Sequence, residues 1–215
     1  MLNKTDDNYF DGGTNTDPIL NWRFMMGKYP HEANQRLADG YYETCIELLN
    51  KCVTDNTDKK GDIWIFPSMF LAHQFIELYV KSINIFFLLI ETPSKDPWEV
   101  PFQEGGHDLE KLLDLLKIEL NKQSTVVYMP ADDFQLLKDY VEIFSNKSGS
   151  ARSIDLRYAC NIKGSCQKET FYTKNTTNIY LNIQLYKQWI EEIHSILSST
   201  YCNLENDYDS LTQND

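Results

Sequence analysis

The sequence has few basic residues, no long uninterrupted apolar run and no signal-peptide core among its first residues. Its 215 residues include 20 Lys and Arg against 32 Asp and Glu, a formal net charge of −12. This charge argues against a broad electrostatic interaction with nucleic acid, which needs a basic face, though not against a local basic patch. The richest apolar run, Ile83–Ile90, is shorter than the roughly 20 residues that span a bilayer. We therefore predict a cytoplasmic protein that does not enter a membrane.

The chain also lacks the common motifs of metal, phosphate and covalent chemistry. Its five cysteines show no zinc-type pairing, and an odd count without an export signal favours free thiols in a reducing compartment. The sequence contains no glycine-rich phosphate loop, no His-Glu-x-x-His helix and no Gly-x-Ser-x-Gly elbow. We predict neither a metal site nor a cofactor.

What the sequence does contain is the apolar periodicity of helices. In five stretches apolar residues recur at steps of three and four, which places them on one helical face. These stretches cover about residues 31–53, 63–91, 109–120, 131–144 and 179–197. Strand alternation is almost absent, so we predict an all-α fold, an up-and-down bundle of four to five helices. The second helix is apolar on most of its surface and is expected at the centre, and Thr176 or Thr177 is expected to cap the last.

The two ends and one internal segment break the helical pattern. Residues 1–17 are polar and predict a flexible tail, and the acidic residues 203–215 predict a second one. Residues 18–202 then form a single domain. Within it, residues 145–174 predict a loop-rich excursion before the last helix. From residue 147 to 174 this excursion has six basic and two acidic side chains, a net charge of +4 that opposes the charge of the whole chain.

A line of polar side chains interrupts the second predicted helix. His73, Glu77 and Lys81 are spaced i, i+4, i+8 and so lie on one face. A glutamate four residues before a lysine is the favourable order for an ion pair, and such a pair is able simply to solvate an edge or set the register of the bundle. Because this helix is apolar nearly all round and buried charge is costly, the line is also a candidate ligand-binding pocket.

His107 and Asp108 are candidates for the same pocket. They stand at the start of the third predicted helix, directly after Gly105-Gly106. If the second and third helices are antiparallel neighbours, His107 comes close to Glu77, and an imidazole held by a carboxylate is a workable proton carrier near neutrality. The alternative is that both residues only cap the helix and complement its dipole.

Arg157 and Tyr158, in the basic excursion, complete the candidate pocket. A guanidinium at this point is suited to bidentate contact with a phosphate. The alternative is a structural role, in which Arg157 neutralises Glu77 or Asp108 from outside the bundle. The residues alone leave these two interpretations open.

These motifs resemble those of a known helical family. The order of Glu77-Leu78-Tyr79-Val80-Lys81, a proline-interrupted connection and Gly106-His107-Asp108-Leu109 is similar to that of the HEPN superfamily, over roughly residues 35–200. One branch also carries Arg-Tyr-Pro further along, where this chain has Arg157-Tyr158-Ala159. The resemblance implies a four- or five-helix bundle that is often dimeric, so we expect a homodimer.

The resemblance also implies a site that this chain lacks. Many members of the superfamily are metal-independent ribonucleases of toxin–antitoxin, phage-defence or RNA-processing systems, in which an arginine is followed four to six residues later by a histidine. Downstream of Arg152 and Arg157 the sequence contains only His194, which is far outside this spacing. His194 itself is isolated among polar neighbours and is interpreted as a solvated surface residue.

The first functional hypothesis is therefore a noncatalytic HEPN-like module. It would bind RNA, a nucleotide or a protein partner encoded nearby, in a prokaryotic stress or phage-defence setting. One alternative is a metal-independent ribonuclease with a non-standard site built from His107, Glu77, Lys81 and Arg157. The other is an acidic, antitoxin-like interaction protein that neutralises a basic partner.

Overall fold

The computed structural model describes residues 29–93, 96, 105–123, 126–144 and 181–212, and the regular structure of these residues is entirely helical. Its helices, in chain order, are α1 (Pro30–Thr54), α2 (Gly61–Glu91), α3 (Leu109–Lys122), α4 (Ala131–Phe144) and α5 (Ile183–Thr212). The predicted all-α bundle is confirmed, and α1 to α4 begin and end close to their predicted positions. The expected N-terminal tail and the basic excursion with Arg157 and Tyr158 lie outside the described residues.

α2 is the central helix and packs against α1, α3 and α5. Because its sequence is apolar on most of its circumference, it can bury side chains in several directions at once. Phe75, Ile83, Phe86 and Leu89 are completely buried. Full burial of each such side chain is worth about 1.5–3 kcal/mol relative to exposure. The polar residues of α2 are therefore surrounded by core, which makes their partners informative.

α2 and α3 run in the same direction, so the predicted antiparallel arrangement of these two helices is wrong. Three contacts follow one another in the same order along both helices: Glu77 with His107, Asn84 with the carbonyl of Leu112, and Glu91 with Lys122. Between the end of α2 and the start of α3 the chain therefore runs back by about 20 Å, which is the length of α2 from Glu77 to Glu91 at about 1.5 Å per residue. Residues 92–108 are long enough for this return, whereas a short loop would have forced antiparallel packing.

Two glycines form the turn from which α3 starts. Gly105 has φ 77° and Gly106 has φ 57°, a left-handed conformation that favours glycine. A Cβ atom on Gly105 would also lie 2.8 Å from Cδ2 of Leu112. The amide of Asp108 donates to the carbonyl of Gly105 at 3.0 Å and closes the turn. This turn directs His107 toward the middle of α2.

α5 starts later than predicted. It begins at Ile183, and the side chain of Asn182 accepts a hydrogen bond from the amide of Leu185 at 3.1 Å. Asparagine is among the preferred N-cap residues because its side-chain oxygen satisfies an amide of the first turn. Thr176 and Thr177, which were predicted to cap this helix, lie outside the described residues.

α5 also ends later than predicted, and the expected tail from residue 203 is wrong as far as Thr212. Leu204 and Tyr208 are four residues apart, share one face and are buried in the core. The hydroxyl of Tyr128 donates to Asp207 at 2.5 Å, which ties this last part of α5 to the segment before α4. The acidic composition of residues 203–215 predicts a tail, whereas the spacing of Leu204 and Tyr208 indicates a helix.

Among the described residues, α2 alone is long and apolar enough to cross a membrane by length and composition. The eight-residue run Ile83–Ile90 is only part of this apolar helix, so the expectation drawn from that run was too short. The central helix of a soluble bundle has the same composition, and half of the apolar window of α2 is buried inside the protein. The cytoplasmic location stays a prediction.

Candidate functional site

Glu77 is the centre of a polar cluster between α2 and the start of α3. Only 3% of its side chain is exposed. Nζ of Lys81 donates to Oε1 at 2.7 Å, and Nδ1 of His107 lies 2.8 Å from the same oxygen. Lys81 follows Glu77 by one turn of the helix, while the glycine turn and the parallel run of α3 bring in His107. The structure thus joins three of the predicted pocket residues in one contact network.

The ion pair with Lys81 allows a carboxylate to remain charged inside the bundle. An isolated buried carboxylate would be strongly disfavoured, whereas a close ammonium group offsets its lost hydration. The side chain of Lys81 is 17% exposed, so its stem crosses apolar surface while the ammonium group stays near solvent. The pair also satisfies the structural interpretation of these residues, since it links successive turns of the central helix.

His107 is the most exposed member of the cluster, with 78% of its side chain accessible to solvent. A neutral imidazole must carry its proton on Nδ1 to donate to the carboxylate of Glu77. This tautomer leaves Nε2 with a free lone pair on a ring that is largely open to solvent. The contact therefore orients a proton acceptor outward from the bundle.

His73 stands one turn before Glu77 and is 2% exposed. Burial lowers the pKa of His73 from its usual 6.5 to about 4, and the nearby charge of Glu77 offsets only part of that effect. His73 is thus neutral at physiological pH. Among the residues that the structure describes, neither Nε2 of His73 nor Oε2 of Glu77 has a hydrogen-bond partner, although both atoms are buried. Such unpartnered atoms are rare in folded proteins.

Asp108 does not reach the Glu77 cluster. Its Oδ1 accepts a hydrogen bond from the amide of Lys111 at 3.3 Å, and Nζ of Lys111 lies 3.4 Å from Oδ2. These are the contacts of an N-cap, the alternative considered for this residue. Arg157 and Tyr158 lie outside the described residues, so their place in the pocket stays a prediction.

A second polar cluster, which the sequence did not indicate, lies where α1, α2 and α5 meet. Asp39 accepts a hydrogen bond from the hydroxyl of Tyr79 at 2.5 Å, and Nε2 of His194 lies 3.3 Å from the same oxygen. The rings of Tyr42 and His194 stack with centroids 3.6 Å apart. The interpretation of His194 as a solvated surface residue was therefore wrong. Asp39 and His194 are 155 positions apart, so no local pattern links them.

No group of three or more His, Cys, Asp or Glu side chains within the described ranges is arranged to hold a metal ion. The chemistry that these residues offer at the Glu77 cluster is hydrogen bonding, charge pairing and proton transfer. This chemistry is supplied by four groups: the buried carboxylate of Glu77, the neutral buried imidazole of His73, the ammonium group of Lys81 and the exposed imidazole of His107.

Acidification should destabilise the protein through His73. Its pKa is about 4 in the folded state against the usual 6.5, so between these values the unfolded state binds more protons. The stability contribution is complete above pH 6.5 and is lost as the pH falls toward 4. At pH 4.5 we expect about 2 kcal/mol of lost stability from this side chain. The measurement is the free energy of unfolding, obtained by urea denaturation of the natural chain and of His73→Phe at pH 7.5 and pH 4.5.

His31 provides a second test of this pH effect. Burial also lowers its pKa to about 4, but it lies on α1 against Phe86 and outside the Glu77 cluster. Both His73→Phe and His31→Phe should reduce the pH dependence of the unfolding free energy. If His73→Phe leaves this dependence unchanged, the folded protein accommodates a protonated His73 and the argument for its neutrality fails.

Comparison of the chain with protein-family models, with curated proteins and with solved structures gave no match. The relation to the HEPN superfamily therefore rests on the motifs in the sequence, and it stays a prediction.

Proposed function

We propose that this chain is a noncatalytic HEPN-like module that binds RNA or a nucleotide, or a protein partner, in a prokaryotic stress or phage-defence setting. The observation that carries the proposal is the buried carboxylate of Glu77. One of its oxygens is held by Lys81 and His107, while the other has no partner within the described part of the chain. Leaving a buried acceptor unpaired costs about 1–3 kcal/mol, which a ligand with a suitable donor would recover.

Of the three proposed ligands, RNA, a nucleotide and a protein partner, the residues beside this oxygen favour the two that contain phosphate. Lys81 places an ammonium group at the solvent side of Glu77, where an anion gains charge-assisted hydrogen bonds. The net charge of −12 supports recognition at such a local point rather than along a broad basic face. The absent Arg-x4–6-His pair supports binding without cleavage. A homodimer, as the resemblance implies, belongs to the same proposal.

Binding of short RNAs and nucleotides to defined variants tests the proposal. Glu77→Gln and Lys81→Met should weaken binding by about tenfold or more, since one tenfold step corresponds to about 1.4 kcal/mol. Fluorescence anisotropy at fixed salt, with circular dichroism to verify folding, is the measurement.

The chain contains a closely matched control for these variants. Glu47 and Lys51 on α1 form the same kind of i, i+4 pair at the same 2.7 Å, but their side chains are 69% and 53% exposed. Glu47→Gln should bind as the natural chain does. Unaltered affinity in folded Glu77→Gln and Lys81→Met would remove the cluster from the binding site.

One observation favours a second candidate, a metal-independent ribonuclease with a non-standard site. His107 is held through Nδ1 by a buried carboxylate while its ring is open to solvent, which is the arrangement of a general base. Nε2 would take the proton of a 2′-hydroxyl, whose oxygen attacks the adjacent phosphorus and expels the 5′-oxygen. Incubation of RNA with the protein and a chelator would then give 2′,3′-cyclic phosphate ends that disappear in His107→Ala. Intact RNA at high protein concentration favours the binding module.

A further inference from the structure

Three helices, α2, α3 and α5, terminate at one end of the bundle, which we call the C-terminal end. α5 runs parallel to α2, because the ring of Tyr79 lies 5.6 Å from His194 and, further along both helices, the ring of Phe86 lies 6.0 Å from Tyr208. α3 is parallel to α2 as well. The segment before α4 is tied to the last part of α5, so α4 starts at this end.

The C-terminal end carries more negative charge than its helices alone would give it. The last turn of a helix has a partial negative charge, which basic side chains usually offset. Neither α2 nor α5 has a basic residue in its last turn. In the described part of the chain, the last turns of α2 and α3, the first turn of α4 and residues 207–212 contain one basic side chain, that of Lys122. The acidic side chains of the same stretches are Glu91, Glu119, Asp132, Asp133, Asp207 and Asp209.

Exposed apolar side chains stand among these charges. Val126 and Val127, in the connection between α3 and α4, are 45% and 78% exposed. Leu211 is 44% exposed and lies one turn after Asp207, on the same face of α5. Because Asp207 accepts the hydrogen bond of the Tyr128 hydroxyl, this face of α5 is directed toward the connection that holds the two valines. The C-terminal end therefore combines apolar contact area with uncompensated negative charge.

We infer that the C-terminal end binds a basic amphipathic segment of a protein partner. Apolar side chains of the partner would pack on Val126, Val127 and Leu211, and its Lys or Arg side chains would lie against the surrounding carboxylates. Cations at this place also offset the dipoles of α2 and α5, which the chain itself leaves without basic residues. Nucleic acid does not fit, because its phosphates are repelled by the same charge. The surface is about 20 Å from Glu77 along α2, so the inference is independent of the proposed phosphate site.

Binding of designed peptides to the full chain tests the inference. The probe is a short helical peptide of leucine and lysine with its leucines on one face. Its controls are the same peptide with glutamate in place of lysine, and oligolysine of equal charge. We expect oligolysine to bind about tenfold more weakly than the probe, because it lacks the apolar contacts, and the glutamate peptide not to bind. Titration of the isotope-labelled chain, followed by NMR, should shift the amide signals of Val126, Val127 and Leu211.

Two variants, each with a matched control, connect the binding to this surface. Val127→Ser should weaken the probe about tenfold, whereas Ile63→Ser, at a residue that is 70% exposed at the opposite end of α2, should bind as the natural chain does. Asp132→Asn should weaken binding about threefold at low ionic strength, and the difference should disappear in high salt. Glu43→Gln, which removes an exposed carboxylate of α1, is its control. Circular dichroism verifies folding.

The results that would overturn the inference are distinct. Signal shifts spread over the whole bundle, or equal affinities of Val127→Ser and Ile63→Ser, would show that the probe responds only to the net charge of the protein. A synthetic peptide of residues 147–174, with its net charge of +4, is the comparison probe. If it binds the C-terminal end more tightly than the designed peptide, the occupant is this chain's own basic segment and not a partner. The phosphate proposal stands or falls separately, with the variants of Glu77 and Lys81.

Discussion

A chain that stops after residue 203 should be less stable than the full chain by about 4 kcal/mol. The deletion removes Leu204 and Tyr208, which are 0% and 6% exposed, and burial of each such side chain is worth about 1.5–3 kcal/mol. It also removes Asp207, which accepts the hydrogen bond of the Tyr128 hydroxyl. The ring of Phe86, 6.0 Å from that of Tyr208, would become accessible to solvent. Equilibrium urea denaturation at pH 7.5 measures the change in unfolding free energy.

A second truncation provides the control for this experiment. A chain that stops after Thr212 loses only residues 213–215 and keeps the whole of α5, so we expect a change of no more than about 0.5 kcal/mol. If both truncated chains unfold at the same urea concentration as the full chain, the acidic C-terminal residues contribute nothing to the core. Residues 203–215 would then behave as the tail that their composition predicts.

Replacement of Lys81 by methionine should lower stability by about 3 kcal/mol. Methionine preserves the stem of the side chain, but the carboxylate of Glu77 loses its ammonium partner. The Glu77 side chain is only 3% exposed, so the carboxylate stays away from solvent. Removing one member of a buried ion pair costs about 3–5 kcal/mol, and the contact from His107 places this case at the low end. Urea denaturation of the folded variant gives the value directly.

A double-mutant cycle separates the loss of the pair from the loss of packing. Glu77→Gln combined with Lys81→Met should recover part of the stability, because no unpaired charge is then buried. The same cycle on the exposed pair of Glu47 and Lys51 should give a much smaller coupling energy, because solvent screens that pair. Equal coupling energies in the two cycles would mean that burial does not strengthen the contact between Glu77 and Lys81.

The helices were predictable because their information is local. Apolar spacing placed α1 to α4 close to their observed bounds, and the all-round apolar surface of α2 indicated its central position. The C-terminal end of α5 has an acidic composition typical of a tail, and only the spacing of Leu204 and Tyr208 indicates that it is helical. The direction of α3 was missed for a different reason. Residues 92–108 permit either direction, and only packing against α2 selects one.

Part of the candidate site could likewise be predicted from the sequence, and part of it depends on the tertiary structure. The line of His73, Glu77 and Lys81 follows from helical periodicity alone, and its apolar surroundings predicted a paired charge. The contact with His107 was expected from an antiparallel model of α2 and α3, yet it arises in a parallel one. The Asp39 and His194 contact had no local signal, since its members lie on α1 and α5.

The amino-acid sequence by itself determined the helices and which polar side chains share a face of α2, because both depend on residues a few positions apart. Tertiary packing decided how deep those side chains lie, that His107 meets Glu77 through a parallel return, and that Oε2 of Glu77 and Nε2 of His73 have no partners within the described residues. Depth and partners depend on residues distant in the chain, and burial changes the protonation of His73. The free oxygen of Glu77 could therefore be found only in the folded protein.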